Sequence, residues 1–482
     1  MLKQFLKDAS IYGITGILSR GIAIFLIPFY TRVFSTADYG VIDLLAVLSN
    51  IVSFSFSFEL TQAIARFYPS LKNKVEKVTL VSSSFIIVVL SYLVFLIVSL
   101  LLSSWISLKL LESDQLSSVF NIWSFVIFFT GIFYFSQNQL KWRFESKKFA
   151  IVSLLYTILN LSLTILFVLF LGWKLQGVFM AQFISVVICT SLSLFFIRDD
   201  LKFTFSRKVV FDMLKFSIPL IPSSIGVYIT NTAHRILIKA VLNLSSLGLY
   251  GMSSRLTSLV SVILSSFQGA ITPLIMANYE NEKTKNEIEK LMRYYTLFCI
   301  LIFTSISLFA KEILIILTTP SYYDAYKLVP LLLLDKLFFS AYVLVPGLFI
   351  AKKTPIIAKI NIISGLINIL ISFVLLKIFG LIGAAIGTMS SSFFIFIFQY
   401  KYSQKYYYIN HKISKLISPF LIYIFLIWGA YFLNLEINIY TIMAKIFLIT
   451  SVIPVTIIMG LIKFDEFKFL YNQGLARLKL SK

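Results

Sequence analysis

The chain is short of what soluble enzymes are built from. Charged residues fill only 13% of its 482 positions, against about 25% in soluble domains, which excludes an ordinary water-soluble globular protein. Two histidines cannot supply a His-rich metal cluster. The two cysteines, Cys189 and Cys299, each stand inside an apolar run with no second cysteine nearby. Neither a disulfide framework nor a Cys-based zinc site is indicated, and both read as packing residues. No P-loop spacing and no Ser/His/Asp set is present, so nucleotide hydrolysis by that route is excluded and no cofactor or metal is expected. Acidic residues are scarce as well, 21 against 43 basic, for a net charge of +22. That excess alone would suggest nucleic acid as a partner, but where the charges fall decides otherwise.

Apolar residues make up 59% of the chain and arrive in runs long enough to cross a hydrocarbon core of roughly 30 Å. The runs lie near 10–30, 40–62, 78–103, 118–140, 150–171, 175–197, 212–236, 247–275, 294–318, 326–350, 356–378, 381–400, 416–433 and 440–462. They predict an all-α polytopic membrane protein of about fourteen spans. The first run follows Lys3 and Lys7, contains Arg20 and lacks a small-residue cleavage site, so it reads as a retained span and not a removed signal peptide. Alternate gaps between the runs receive roughly 31 of the 43 basic residues and the others about 7, the asymmetry of the positive-inside rule. Both termini are therefore expected on the cytoplasmic side. The opposite loops are too short to fold as a separate catalytic domain.

Parts of the sequence repeat. "FSTADYGVIDLL" at the second span resembles "LSSLGLYGMSSRL" at the eighth, aligning Tyr39-Gly40 with Tyr250-Gly251. Asn160 and Gly172 correspond to Asn368 and Gly380, and "LQGVFMA" to "LIGAAIG". Six spans separate equivalent positions, which predicts a parallel repeat about an axis along the membrane normal. The expected organisation is 1–205 as a first six-helix lobe, 206–408 as a second, and 409–482 as two further helices with a basic cytoplasmic tail.

Polar residues inside the spans form stripes. In the eighth span Gly251, Ser254, Ser258, Ser261, Ser265, Gln268 and Thr272 follow steps of three and four, so they share one helix face. The second span does the same with Asp43, Ala46, Asn50, Ser53, Ser57 and Thr61, the first with Gly13, Gly16, Arg20 and Ala23, and the seventh with Ser224, Tyr228, Asn231 and Arg235. Small residues allow close helix packing and hydroxyls bond across the contact. The alternative is a hydrated cavity between two lobes. Recurrence on repeat-related spans favours the cavity, as does the presence of ionisable groups whose insertion costs about 2.5–3.5 kcal/mol each at mid-span. Arg20 lies near mid-span, Arg255 and Arg235 nearer the outer end. Asp43, Glu59 and the adjacent Asp335 and Lys336 are candidates for ion coupling or counter-charge. His234 and Lys445 read as structural.

"SRGIAIFLIPFYTRVFSTADYGVIDLL", "AIARFYPS", the charged link "ENEKTKNEIEKLMRYY" and the 12-plus-2 organisation resemble the polysaccharide flippases of the multidrug/oligosaccharidyl-lipid/polysaccharide exporter (MOP) superfamily, specifically those moving O-antigen or capsule repeat units in lipopolysaccharide and capsule synthesis. The resemblance implies a MATE-like fold in a bacterial inner membrane. It also implies a transporter and not an enzyme, carrying undecaprenyl-diphosphate-linked oligosaccharide between leaflets by alternating access through a cationic cavity. Arg20, Arg255 and Arg235 would meet the diphosphate. Asn50, Asn231, Ser258, Ser261 and Gln268 would meet the sugars. The implied partners are the lipid-linked oligosaccharide, membrane lipids, a polysaccharide polymerase and a chain-length regulator, with no nucleic acid. Rival readings are a cell-wall precursor flippase or drug/cation antiporter of the same superfamily, and a membrane glycan polymerase.

Overall fold

The stretch Ser35-Thr36-Ala37-Asp38 fixes where the second span starts. A short helix α1 (Ile27–Val33) precedes it. Helix α2 (Thr36–Phe56) then opens on a capping box, in which the Asp38 amide donates to Ser35 Oγ at 3.2 Å and the Ser35 amide to Asp38 Oδ2 at 3.0 Å. Two of the helix's orphan donors are thereby satisfied. The computed structural model describes residues 15, 16, 18, 27–68, 71, 73–143, 145–202, 204–433 and 437–466. Among them the regular structure is helical throughout.

After α2 come α3 (Leu60–Phe67), α4 (Lys74–Leu101), α5 (Ser103–Leu111), α6 (Ser117–Trp142), α7 (Ser146–Ile165), α8 (Lys174–Ile197), α9 (Arg207–Ser217) and α10 (Leu220–Val241). They are followed by α11 (Leu244–Asn278), α12 (Glu282–Leu317), α13 (Val329–Ser340), α14 (Gly347–Ile350), α15 (Thr354–Phe379), α16 (Leu381–Tyr406), α17 (Ile413–Phe432), α18 (Ile439–Thr450) and α19 (Val452–Ile458). Twelve helices among the described residues are long and apolar enough to cross a membrane, against about fourteen expected from the sequence. The expected span 10–30 falls mostly outside the described residues. The span 326–350 is broken into α13, a tight turn at Ala341–Leu344 and α14.

That break has a local cause. Pro346 disfavours the helical conformation at the residue before it, and Val345 sits at φ −125°, ψ 66°. Ser403 on α16 repairs the damage, donating to the Val345 carbonyl at 2.9 Å and accepting from the Gly347 amide at 2.6 Å. The expected span 40–62 is interrupted too, since Phe58 and Glu59 adopt φ values of 47° and 50°. There the Phe56 carbonyl accepts from Ser91 Oγ and the Ser53 carbonyl from the Tyr92 hydroxyl, both on α4. In a hydrocarbon environment such freed backbone groups need internal partners, and hydroxyls on neighbouring helices provide them.

The chain divides into two compact units, Met1–Gly251 with Leu317–Ser321, and Met252–Ile316 with Tyr322–Lys482. In the first, Phe133, Leu140, Val152, Val186, Cys189 and Ile197 form a buried cluster. At the loop end of the same unit, Arg143 pairs with Glu145 at 2.9 Å and with Asp200 at 3.5 Å, and Gln139 donates to Asp200 at 2.9 Å. In the second unit Ile300, Tyr423, Val452, Leu461 and Ile462 pack together. Both cysteines are free and buried, as expected of packing residues. The repeat is visible in the backbone as well: Gly172 and Gly380 both stand at positive φ, 68° and 57°, where a side chain would be strained.

Candidate functional site

Within the first unit, the start of α11 crosses the start of α2 with almost no space between backbones. A Cβ on Gly40 would stand 2.0 Å from the Leu244 carbonyl oxygen, and one on Gly248 would stand 1.9 Å from that of Thr36. Tyr39 and Tyr250, the aromatic halves of the repeated Tyr-Gly pairs, are both fully buried beside this crossing. The glycines permit the approach and the tyrosines fill the space around it.

Asp43 lies one turn further along α2, 8% exposed. Arg235 on α10 donates to its Oδ1 at 2.6 Å, while Oδ2 is buried with no hydrogen-bond partner among the described residues. Among the described residues the ion-pair partner of this carboxylate is the Arg235 guanidinium, in agreement with the general rule that buried charges are paired. Phe54 on α2 meets Tyr228 on α10 at 5.7 Å, and the His234 ring lies 5.0 Å from that of Tyr250. His234 is buried, in keeping with a packed histidine.

The polar stripes begin buried, at Asp43 and Gly251, and open further along their helices. On α2, Asn50 is exposed and Ser53 and Ser57 half-buried. The Asn50 amide nitrogen donates to the Ala46 carbonyl at 2.9 Å, which leaves its side-chain oxygen as an acceptor. On α11, within the second unit, Ser258, Ser265 and Thr272 are exposed and Ser261 and Gln268 half-buried, whereas Leu256, Val260, Leu264, Ile271 and Ile275 are buried. Ser258 and Ser265 donate to carbonyls three residues back, and Thr272 four back. These hydroxyls remain competent to accept from a sugar. Gln268 instead donates to the Ser340 carbonyl at 3.0 Å. Arg255 is half-buried on the same helix.

The remaining candidates separate. Arg20 lies outside the described residues, as does the side chain of Asn231. Glu59 is buried at the break between α2 and α3. Asp335, 4% exposed, accepts from Ser392 on α16 and also from its neighbour Lys336, whose ammonium bends back to 2.7 Å. Ser392 is thus a partner for Asp335 on another helix. The lysine's flexible stem lets the two charges meet. Lys445 pairs with Glu312, a partner that sequence inspection did not single out. Opposite charges in two separate apolar runs were the available signal. No group of three or more potential metal ligands occurs among the described residues.

The family model described as polysaccharide biosynthesis protein matches residues 29–327. No curated protein matches the chain. Solved structures do, at low identity and high coverage. A lipid II flippase, MurJ, in an inward closed conformation is 15% identical, with 92% of this chain and 97% of that one covered at a TM-score of 0.69. An inward-facing multidrug resistance MATE family transporter of the MOP superfamily is 15% identical, with 83% and 95% covered and a TM-score of 0.67. A MOP superfamily transporter from Pyrococcus furiosus, described as having a binding pocket of reversed polarity, is 14% identical, with 85% and 97% covered and a TM-score of 0.56. These similarities establish the MATE/MurJ-type fold.

Proposed function

The chain belongs to the polysaccharide biosynthesis protein family, and on that premise we propose that it is a flippase, moving undecaprenyl-diphosphate-linked oligosaccharide repeat units of O-antigen or capsule from the cytoplasmic to the outer leaflet by alternating access. The observation that carries this reading is the pair of polar faces on α2 and α11. Each keeps hydroxyl or amide oxygens on the open side of a membrane helix, and arginines occur in α11 itself and in the spans that precede both helices. Packing accounts for small residues but gives no reason for arginines. A guanidinium suits a diphosphate because it donates paired hydrogen bonds and keeps its charge.

Arg20 and Arg255 are assigned to the diphosphate, and Asn50, Asn231, Ser258, Ser261 and Gln268 to the sugars. Arg235 belongs to the same set and is held by Asp43 until an anionic substrate competes for it. Glu59, Asp335 and Lys336 are the ion-coupling or counter-charge candidates. The repeat supports two lobes, 1–205 and 206–408, with 409–482 as an addition. The loop charges support an inner-membrane orientation with cytoplasmic termini. Outward movement of an anion is favoured by an inside-negative potential by about 2.3 kcal/mol per charge per 100 mV, so the cycle needs no nucleotide. A polymerase and a chain-length regulator are the partners such a pathway requires.

The test is leaflet-specific accessibility of a lipid-linked oligosaccharide in vesicles holding wild type, Arg20→Ala, Arg20→Lys or Arg255→Ala protein, matched for folded amount. Transport by wild type, lost in Arg20→Ala and weak in Arg20→Lys, is the expected result. Undiminished transport in Arg20→Ala would make Arg20 structural. No transport by wild type would overturn the flippase reading in favour of an antiporter or a polymerase.

A further inference from the structure

At the loop end of the second unit, three chain-distant segments surround a cavity of about 1090 Å³. They are the first three turns of α12 (Glu282 to Arg293), the approach to α17 (Tyr408 to Lys415), and the turn after α19 that ends at Glu466. Seven basic and three acidic side chains line it, a net charge of +4. The three carboxylates are already committed. Glu282 takes Lys285 at 2.9 Å. Arg293 engages Glu289 at 3.1 Å and grips Glu466 through both terminal nitrogens at 2.7 and 3.0 Å. Although burial alone would raise the Glu466 carboxyl, the Arg293 hydrogen bond and charge hold it below its ordinary range, so it stays ionised and occupied.

Five lysines are left over. Lys283, Lys290, Lys412, Lys415 and Lys463 line the cavity, and no ion-pair partner is found for them among the described residues. At the corresponding end of the first unit Arg143 and Lys148 pair with Glu145, and Arg66, Lys77 and Arg198 lie over the rings of Phe216, Tyr68 and Phe195, while Lys147, Lys202 and Lys208 are exposed there without lining this cavity. The positive-inside rule asks only for basic loops. It does not require like charges to converge on a concave surface with their counter-ions used up. The walls are also fixed: the Tyr407 hydroxyl donates to the Tyr279 carbonyl at 2.8 Å, Arg293 to the Leu461 carbonyl at 3.3 Å, and the Lys463 amide to Glu466 at 3.1 Å.

We propose that this cleft is a phosphate-binding site, distinct from the polar faces of α2 and α11, which takes a phosphate-bearing anion at the loop ends of α12 and α17. Clustered ammonium groups act as point charges that suit phosphate. The volume is that of a small-molecule site, and its position at the ends of two membrane helices puts it at headgroup level. The phosphate belongs either to an anionic phospholipid or to a soluble phosphate compound. The site does not depend on the identity of the transported glycan.

The experiment uses full-length protein stripped of anionic lipid, in three forms: wild type, Lys290→Gln/Lys412→Gln/Lys463→Gln, and the charge-matched control Lys147→Gln/Lys202→Gln/Lys208→Gln, whose lysines are exposed on the first unit. Phosphatidylglycerol retention is read by native mass spectrometry, and inorganic triphosphate by its saturable effect on Tm. The cleft variant is expected to bind on the order of a hundredfold more weakly than wild type and control. A loss confined to phosphatidylglycerol identifies a lipid site, and a loss confined to triphosphate a soluble ligand. Equal binding of both probes by the cleft and control variants, or no binding by wild type, overturns the proposal. Unliganded Tm and a single Lys412→Gln variant report whether the triple variant has simply lost its fold. Neither probe is a transport substrate, so failure here leaves the flippase reading standing.

Discussion

Removing Arg235 exposes the energetics of the α2–α10 contact. The ion pair has side-chain exposures of 21% for Arg235 and 9% for Asp43, and Asp43 Oδ2 has no hydrogen-bond partner among the described residues. Breaking a buried pair from one side typically costs about 3–5 kcal/mol, because the surviving charge is stranded. Arg235 is about one-fifth exposed and its long stem can carry the charge toward water. Arg235→Ala strands Asp43, which is 8% exposed and too short to reach water, so about 3 kcal/mol is expected, and about 2 kcal/mol for Asp43→Ala, where the surviving arginine carries its charge outward. The double variant Asp43→Ala/Arg235→Ala strands no charge and should recover about 2 kcal/mol of the summed losses. The assay is a double-mutant cycle on thermal unfolding in one detergent, with Tm differences converted through the measured unfolding enthalpy. A coupling below about 0.5 kcal/mol, the level seen for independent sites, would refute the claim that this pair holds α10 to α2.

Further outcomes are expected. Gly40→Ala or Gly248→Ala places a Cβ against a fixed backbone carbonyl and should cost about 1–3 kcal/mol, seen as reduced monodisperse yield and lowered Tm. Ser91→Ala strips the Phe56 carbonyl of its hydroxyl partner and should lower stability by about 1–3 kcal/mol, again read by Tm. His411 has both ring nitrogens buried without a partner among the described residues, and burial pushes it down to about 4. The unfolded chain then takes up a proton first on acidification, so stability is complete above about pH 6.5 and declines toward pH 4 by about 3 kcal/mol. Tm followed across that window should fall less steeply in His411→Phe.

The site was legible in the sequence only in part, for identifiable reasons. The α11 stripe could be read because residues three and four apart share a helix face whatever surrounds the helix, and Ser258, Ser265 and Thr272 are indeed exposed. Asp43 could be marked as a counter-charge, since a carboxylate in an apolar run must find a cation. Which of three arginines answers it could not be read, because Asp43 and Arg235 are 192 residues apart. Helical spacing points the Lys336 side chain away from that of Asp335, yet the flexible lysine stem brings its ammonium back to 2.7 Å.

By itself the sequence determined that the chain is a bundle of membrane helices with an internal repeat and basic residues gathered in alternate loops. Those properties depend on runs, periods and charge counts, which are read along the chain without knowing which residues meet in space. Tertiary structure decided where the helices break and what each charge faces. Pro346 and the residues Phe58 and Glu59 interrupt long apolar runs only because Ser403, Ser91 and Tyr92 on neighbouring helices hydrogen-bond the freed backbone groups. The cationic cleft arises the same way, from lysines spread over 180 residues, Lys283 to Lys463, around one cavity. A buried polar group is tolerable only with a partner, and partners supplied by distant segments exist only once the chain has folded.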